Sequence, residues 1–273
     1  MTMLRIFGLF FGLLLGVALG KLDLDFDGSA ELFDYRAEGS NRKADALYVH
    51  FHGAAEVVSD RFVRAKMQGV LLVVNCKGLS AAYAKPFRER PTLFAEMLDE
   101  AGQEAGLLSS DDWKHIAVSS FSAGYGAVRE VLKKPTYRTR IDALLALDSM
   151  YASLEATEDG ARLPLKAHMR DYQTYAKLAA QNKKTFIITH SNQSTSYAST
   201  TETADALLAS LGMKRLAVPD LDRNDANRLM STASSGGFTV LGYAGIEGKD
   251  HLWHLRQMGR WWPRVGASNG GAP

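Results

Sequence analysis

Residues 118–128 read VSSFSAGYGAV. Together with HIA at 115–117, the opening suits a short buried strand. The end runs into Val128, Val131 and Leu132 at helical spacing, stopped by Pro135. Strand, tight turn and helix follow one another within about twenty residues, so the stretch reads as one βα unit of an α/β sheet. Ser122 lies at the turn, where a serine hydroxyl is presented at a strand end and a helix N-terminus. The pattern is that of G-x-S-x-G with Ser120 at the first glycine. S-x-S-x-G arises by chance in roughly one chain in ten of this length, so the stretch needs support from its surroundings.

Those surroundings repeat the alternation. ALYVHF (46–51), GVLLVVN (69–75), HIAVSS (115–120), DALLALD (142–148), TFIITH (185–190) and FTVLGYAGI (238–246) are strand candidates. Most are nearly continuous in apolar residues, as strands covered on both faces are. Helical stripes lie between them: Leu93, Phe94, Met97, Leu98 and Ala101 in one, and Ala204, Leu207, Leu208 and Leu211 in another, closed by Gly212. The expected fold is a doubly wound, mostly parallel sheet flanked by helices.

Ligands of such sheets bind beyond the carboxyl ends of the strands. The reactive side chains expected there are His50, His52, Ser122, Asp148, His190 and His251. They include a nucleophile, an acid and several bases, in the order Ser, Asp, His. With HFHGAA (50–55), SFSAG (120–124) and GKDH (248–251), residues 45–262 resemble an α/β-hydrolase of the serine esterase/lipase type. Ser120 departs from the pattern at a position that needs a small residue.

That resemblance implies a serine hydrolase cleaving carboxylic esters. Ser122 would be the nucleophile, His251 the base and Asp148 the residue orienting it, with oxyanion N–H donors from Ala123 and Ala54. Gly53 allows close approach of the backbone, His52 braces the loop, and His190 and Tyr125 are candidates to line or support the substrate pocket. For the acid, Glu202 and Asp220 are alternatives. Glu202 also suits a helix cap. For the base, the alternative is His254, expected on the helix after a loop carrying His251. Asp250 suits a solvated loop or cap. His50 suits a buried structural histidine on the same strand face as His52, and Trp253, Trp261 and Trp262 suit core packing.

Two other classes remain open at this point. His50 and His52, with His190, His251 and Asp148, could form a metal-dependent hydrolase site, although H-x-H lacks further spaced ligands. A non-catalytic binding protein on a hydrolase scaffold is the other. Amidase, peptidase and acyltransferase activities use the same triad. No cofactor or metal is expected for the serine mechanism.

The chain has 273 residues, 46% hydrophobic and 23% charged, with a net charge of +2, which describes one globular domain. No Lys/Arg block marks a nucleic-acid partner. MTMLR, the twelve-residue run IFGLFFGLLLGV and the small residues Ala18 and Gly20 read as a signal peptide over 1–20 cleaved before Lys21, with an uncleaved anchor as the alternative. This implies a secreted or periplasmic protein without a stable membrane partner, whose partner is a small ester. The domain spans 21–265, with a candidate cap at 151–183 and a flexible tail at 266–273. Cys76, the single cysteine, reads as a buried inert thiol. KLDLDFDG (21–28) reads as an outer strand; it also matches half of a calcium loop through Asp23, Asp25, Asp27 and Gly28.

Overall fold

The computed structural model describes residues 17–35, 45–157, 160–219 and 225–267. Its strands are β1 (Val17–Lys21), β2 (Gly28–Asp34), β3 (Ala46–Phe51), β4 (Val70–Cys76), β5 (His115–Phe121), β6 (Ala143–Leu147), β7 (Leu154–Ala156), β8 (Arg162–Pro164), β9 (Thr185–His190), β10 (Leu216–Ala217), β11 (Leu229–Ser235) and β12 (Phe238–Tyr243). The helices are α1 (Ala55–Arg64), α2 (Ser80–Glu89), α3 (Leu93–Glu104), α4 (Tyr125–Leu132), α5 (Pro135–Arg140), α6 (Lys166–Ala180), α7 (Thr200–Ser210), α8 (Gly248–Arg256) and α9 (Trp262–Val265).

Ten strands form one sheet in the order β1-β2-β4-β3-β5-β6-β9-β12-β11-β10. Pairing from β4 through β12 is parallel, and β1, β2, β11 and β10 pair antiparallel at the two ends. The chain leaves β3 toward β4 on one side and returns to β5 on the other. The crevice at the carboxyl ends of β3 and β5 is therefore the topological switch point, the place where an open α/β sheet binds its ligand.

Strand alternation divides the core in two. Leu47, Val49, Phe51, Val118, Leu144 and Ile188 pack under α2, α3, α4, α6 and α7. Tyr48, Leu71, Val73, Ala117, Leu145 and Ile187 pack under α1, α8 and α9. Each fully buried Val, Leu or Phe contributes roughly 1.5–3 kcal/mol by removal from water. This two-sided burial explains why the parallel strands read as nearly unbroken apolar runs.

Three expectations change. KLDLDFDG is not one strand: Lys21 ends β1, residues 22–27 turn, and Gly28 opens β2. A side chain at Gly28 would collide with the Asn75 carbonyl oxygen, so the turn enters β2 against the backbone of β4. The segment 151–183 does not form a cap as a whole. Met169, Tyr172, Tyr175, Ala176 and Ala179 of α6 are buried in the core under the sheet, so α6 is the crossover helix between β6 and β9. Only the small β7–β8 hairpin stands apart. Antiparallel β1 and β2 at one end and β11 and β10 at the other extend the sheet beyond the six parallel strands expected.

Candidate active site

The turn that carries Ser122 forms where β5 ends. Phe121 is extended (φ −118°, ψ 143°), Ser122 has φ 47°, and a 3-10 turn over Ser122–Gly124 feeds directly into α4. A positive φ on a non-glycine residue costs about 1–3 kcal/mol and persists only where its neighbours enforce it. Gly124 is one enforcer: any side chain there would collide with the Phe51 carbonyl oxygen at the end of β3. Gly126 is under the same constraint from the Ser80 carbonyl oxygen of α2. Ser149 is another enforcer: its hydroxyl lies 2.9 Å from the Ser122 carbonyl oxygen and 2.8 Å from Ser120 Oγ. Ser149 is the donor in both contacts, so its one proton is shared between the carbonyl and Ser120 Oγ.

Asp148 follows β6, also with positive φ (45°), and is fully buried. Its Oδ2 accepts from His251 Nδ1 at 2.8 Å, and its Oδ1 accepts from Ser191 N at 3.1 Å and Thr200 Oγ1 at 2.5 Å. Burial alone would raise the carboxyl. The His251 hydrogen bond, the charges of His254 and His251 and the Ser191 N–H outweigh it and hold Asp148 below the usual carboxylate range. With Nδ1 committed, His251 keeps Nε2 as its lone-pair nitrogen. Its ring stacks on Phe121, the residue before Ser122, at 4.5 Å between centroids. Among the described residues no hydrogen bond joins His251 to Ser122 Oγ. His251 belongs to α8 itself and not to a loop before it. A capping box between Glu247 and Asp250 starts that helix at Gly248, and Asp250 is a buried cap, not a solvated residue.

Beyond β3 the chain turns at His52 (φ 73°), so the period-two alternation stops at Phe51. His52 and His50 therefore do not continue one strand face. His52 Nδ1 lies 2.7 Å from the Tyr83 hydroxyl, and its ring stacks on Phe121. Tyr83 donates to Asn75 Oδ1 at 3.4 Å and so accepts from His52. Asn75 Oδ1 also accepts from Gly53 N at 3.0 Å, and its Nδ2 donates to Gly53 O at 2.8 Å. Both polar groups of Gly53 are thus clamped, and Ala54 follows as the N-cap of α1. Asn75, Tyr83, Ser149, Ser191 and Thr200 escape a reading by motif. Asn75 closing an apolar strand (VVNC) is the one sequence signal that could have marked this clamp.

The remaining candidates take structural places. His50 is fully buried: its Nε2 donates to the His52 carbonyl (3.2 Å), its Nδ1 accepts from Ser119 Oγ (2.8 Å), and burial lowers it to about 3. Both ring nitrogens are committed, so the H-x-H pair is not presented as two metal ligands. Among the described residues no three His, Cys, Asp or Glu side chains are grouped to hold a metal ion, those of the D-x-D-x-D-G stretch included. His254 is buried with Nδ1 on Thr189 Oγ1 at 2.8 Å. Glu202 closes a capping box with Ser199 at the start of α7. Asp220 lies outside the described residues. His190 lines a cavity of about 390 Å³ with Asp205, Arg215 and Gly242, and that cavity includes none of Ser122, Asp148 or His251. Tyr125 donates to Ser80 Oγ at 3.0 Å and begins a row of rings, Tyr125–Tyr151 at 5.4 Å and Tyr151–Tyr197 at 5.5 Å. Burial, with the Asp27 charge, pushes the Cys76 thiol up to about 12, which keeps it protonated. Trp261 and Trp262 are buried in the core, and Trp253 packs on Tyr243.

The strand order, with its switch point between β3 and β5, is that of the α/β-hydrolase fold. The chain is similar to a cold-adapted esterase from an Arctic intertidal metagenomic library, at 16% identity over 92% of this chain and 93% of that one, with a TM-score of 0.49. It is also similar to Est1E from Butyrivibrio proteoclasticus, at 12% identity over 90% and 99% of the two chains, with a TM-score of 0.44. A monoglyceride lipase from Saccharomyces cerevisiae matches at 10% identity over 92% and 96%, also with a TM-score of 0.44. At these identities the likeness concerns the fold. No protein-family model and no curated protein sequence matches this chain.

Proposed function

We propose that this chain is a serine hydrolase that cleaves carboxylic esters through an acyl-enzyme on Ser122. The observation that carries the reading is the Asp148–His251 hydrogen bond of 2.8 Å, on a ring stacked against the residue before Ser122 at the switch point of the sheet. Asp148 holds Nδ1 protonated, so Nε2 is the basic nitrogen facing outward from that pair. As Ser122 Oγ attacks the ester carbonyl carbon, its proton passes to His251 Nε2. Collapse of the tetrahedral intermediate breaks the bond to the alcohol, which leaves with that proton. Water then attacks the acyl-enzyme, giving a proton to Nε2; collapse breaks the bond from the acyl carbon to Ser122 Oγ, Nε2 returns the proton to Oγ, and the carboxylic acid leaves.

The developing oxyanion needs fixed N–H donors. Ala123 sits in the first turn leading into α4, and Ala54 caps α1; N–H groups at helix starts lack partners inside the helix. These two residues are the assigned donors. The clamp of Gly53 by Asn75 would keep Ala54 in place.

The test is labelling by a fluorophosphonate, which reacts with activated serine nucleophiles. Wild type should label and Ser122→Ala should not. An unlabelled, folded wild type would remove the serine mechanism. The proposal also includes export, resting on the charged and apolar leader at 1–20. Cleavage before Lys21 would remove Val17–Gly20 from β1, an edge strand whose residues are mostly exposed, so the sheet would lose little buried surface. N-terminal sequencing of the protein recovered outside the cytoplasm should begin at Lys21, and Met1 or Thr2 there would reject cleavage. Among the described residues no helix is long and apolar enough to cross a membrane.

A further inference from the structure

The nucleophile turn and the acid are strained at adjacent strand ends, and one buried hydroxyl connects them. β5 and β6 pair in parallel up to Phe121↔Leu147, and the next residues, Ser122 and Asp148, both adopt positive φ (47° and 45°). Here the ladder has ended. Ser149, 1% exposed, is bonded covalently to Asp148, and its hydroxyl donates to the Ser122 carbonyl oxygen at 2.9 Å. The same hydroxyl is also placed to donate to Ser120 Oγ, 2% exposed, at 2.8 Å, so its one proton divides between two acceptors.

We infer that Ser149 is a positioning residue that aims the Ser122–Ala123 peptide, with Ser120 Oγ as the competing acceptor for its proton. This rests on Ser122 being the nucleophile. The peptide group is planar and trans, so its C=O and N–H point in opposite directions. A donor fixed on the Ser122 carbonyl therefore fixes the direction of the Ala123 N–H, the group assigned to the oxyanion. The same hydrogen bond polarises the amide, which strengthens its N–H as a donor. Ser120 is then more than a small residue standing where a glycine is tolerated; its oxygen competes with the peptide for the Ser149 proton.

An interaction that acts on the oxyanion donor is used in the transition state and not in binding the ground state. Ser149→Ala should lower kcat and the rate of fluorophosphonate labelling by about 10- to 100-fold, below the loss caused by deleting an oxyanion donor outright, with KM changed by less than about three-fold. Ser149→Thr, which keeps the hydroxyl, should recover most of the rate. Ser120→Ala removes the competing acceptor and should not lower kcat, and adding it to Ser149→Ala should lower kcat no further, because Ser120 has no route to the peptide except Ser149.

A Ser149→Ala protein with wild-type kcat and labelling rate, and only a lower melting temperature, would overturn the inference. So would a Thr variant that folds but recovers nothing, or a further loss when Ser120→Ala is added to Ser149→Ala. If Ser149→Ala does not fold, Ser149→Cys decides: a weaker donor of similar size with an unchanged labelling rate overturns the inference. Absence of labelling in wild type would instead remove the nucleophile reading, and with it this one. Labelled wild type with an unaffected Ser149→Ala removes only the positioning role.

Discussion

Asp148 is ionised although no solvent reaches it, and its partners explain both its charge and its selectivity. Oδ1 is occupied by Ser191 N–H and the Thr200 hydroxyl, which leaves Oδ2 for one acceptor role, toward His251. In Asp148→Asn one oxygen of the pair becomes an NH2 donor. If the amide oxygen stays on Ser191 and Thr200, the NH2 faces His251 Nδ1 and favours the tautomer with its proton on Nε2, the wrong nitrogen for a base. Ester hydrolysis followed with p-nitrophenyl acetate should fall by about 10⁴-fold in kcat, while the fold survives. Glu202→Gln should leave kcat within about two-fold, since that carboxylate is spent on its own helix; a large loss there would transfer the acid role. Asn75 offers a second residue-level test. Asn75→Ala removes both bonds to Gly53 and the acceptor behind Tyr83 and His52. The freed loop should cost about 10- to 100-fold in kcat/KM, read in the same assay, because the proposed Ala54 donor would no longer be held in place.

At the scale of elements, physical circumstance decides what can be read. The parallel strands β3, β4, β5, β6, β9 and β12 were legible because burial on both faces leaves continuous apolar runs. β2, GSAELFD, and β11, LMSTASS, were not: β2 buries only alternate residues, β11 is mostly half-buried or exposed, and their Ser, Glu and Gly residues carry little strand preference. The helix α6 falls within the segment whose place after Asp148 suggests a cap; one side carries Lys166, Arg170 and Lys177, and the other buries Tyr172 and Tyr175 in the core. The order Ser122, Asp148, His251 could be read from chain position, but the hydroxyls and amides that support these residues could not. Ser149, Thr200 and Asn75 come from three strand ends or helix starts that meet only in the folded sheet. Caps are the exception, being local in sequence. Glu202→Ala breaks the box at α7 and should cost about 1 kcal/mol, or roughly 2–4 °C in melting temperature by calorimetry. An unchanged melting temperature would show that α7 is held by its packing alone.

For the whole molecule, three buried histidines make acid the sensitive direction. His50 is lowered to about 3 by burial. His190 is lowered to about 4 by burial and then by the Arg215 charge, and His254 to about 4, again chiefly by burial. In the unfolded chain each titrates near 6.5. Between these values the unfolded state takes up protons that the folded state refuses, so ΔG of unfolding falls as pH falls. The stability these neutral rings contribute is complete above about pH 6.5 and is lost progressively toward pH 4, and further toward pH 3 for His50. Near pH 5 the three together would steepen the dependence to about 4 kcal/mol per pH unit at most, from about 1.4 kcal/mol per unit for each proton. Asp148, held below the usual carboxylate range, extends the loss at still lower pH, since its protonation would give up the bonds to His251 and Ser191. Urea unfolding at half-unit pH steps from 7 to 4 measures the slope directly. A Ser122→Ala background keeps the reactive serine out of the measurement. His254→Gln, if it folds, should reduce the slope by about one proton, because His254 is 0% exposed and bonded through Nδ1 to Thr189. A flat profile from pH 7 to 5 would mean that these histidines are protonated in the folded state, and would remove the neutral, buried roles assigned to all three.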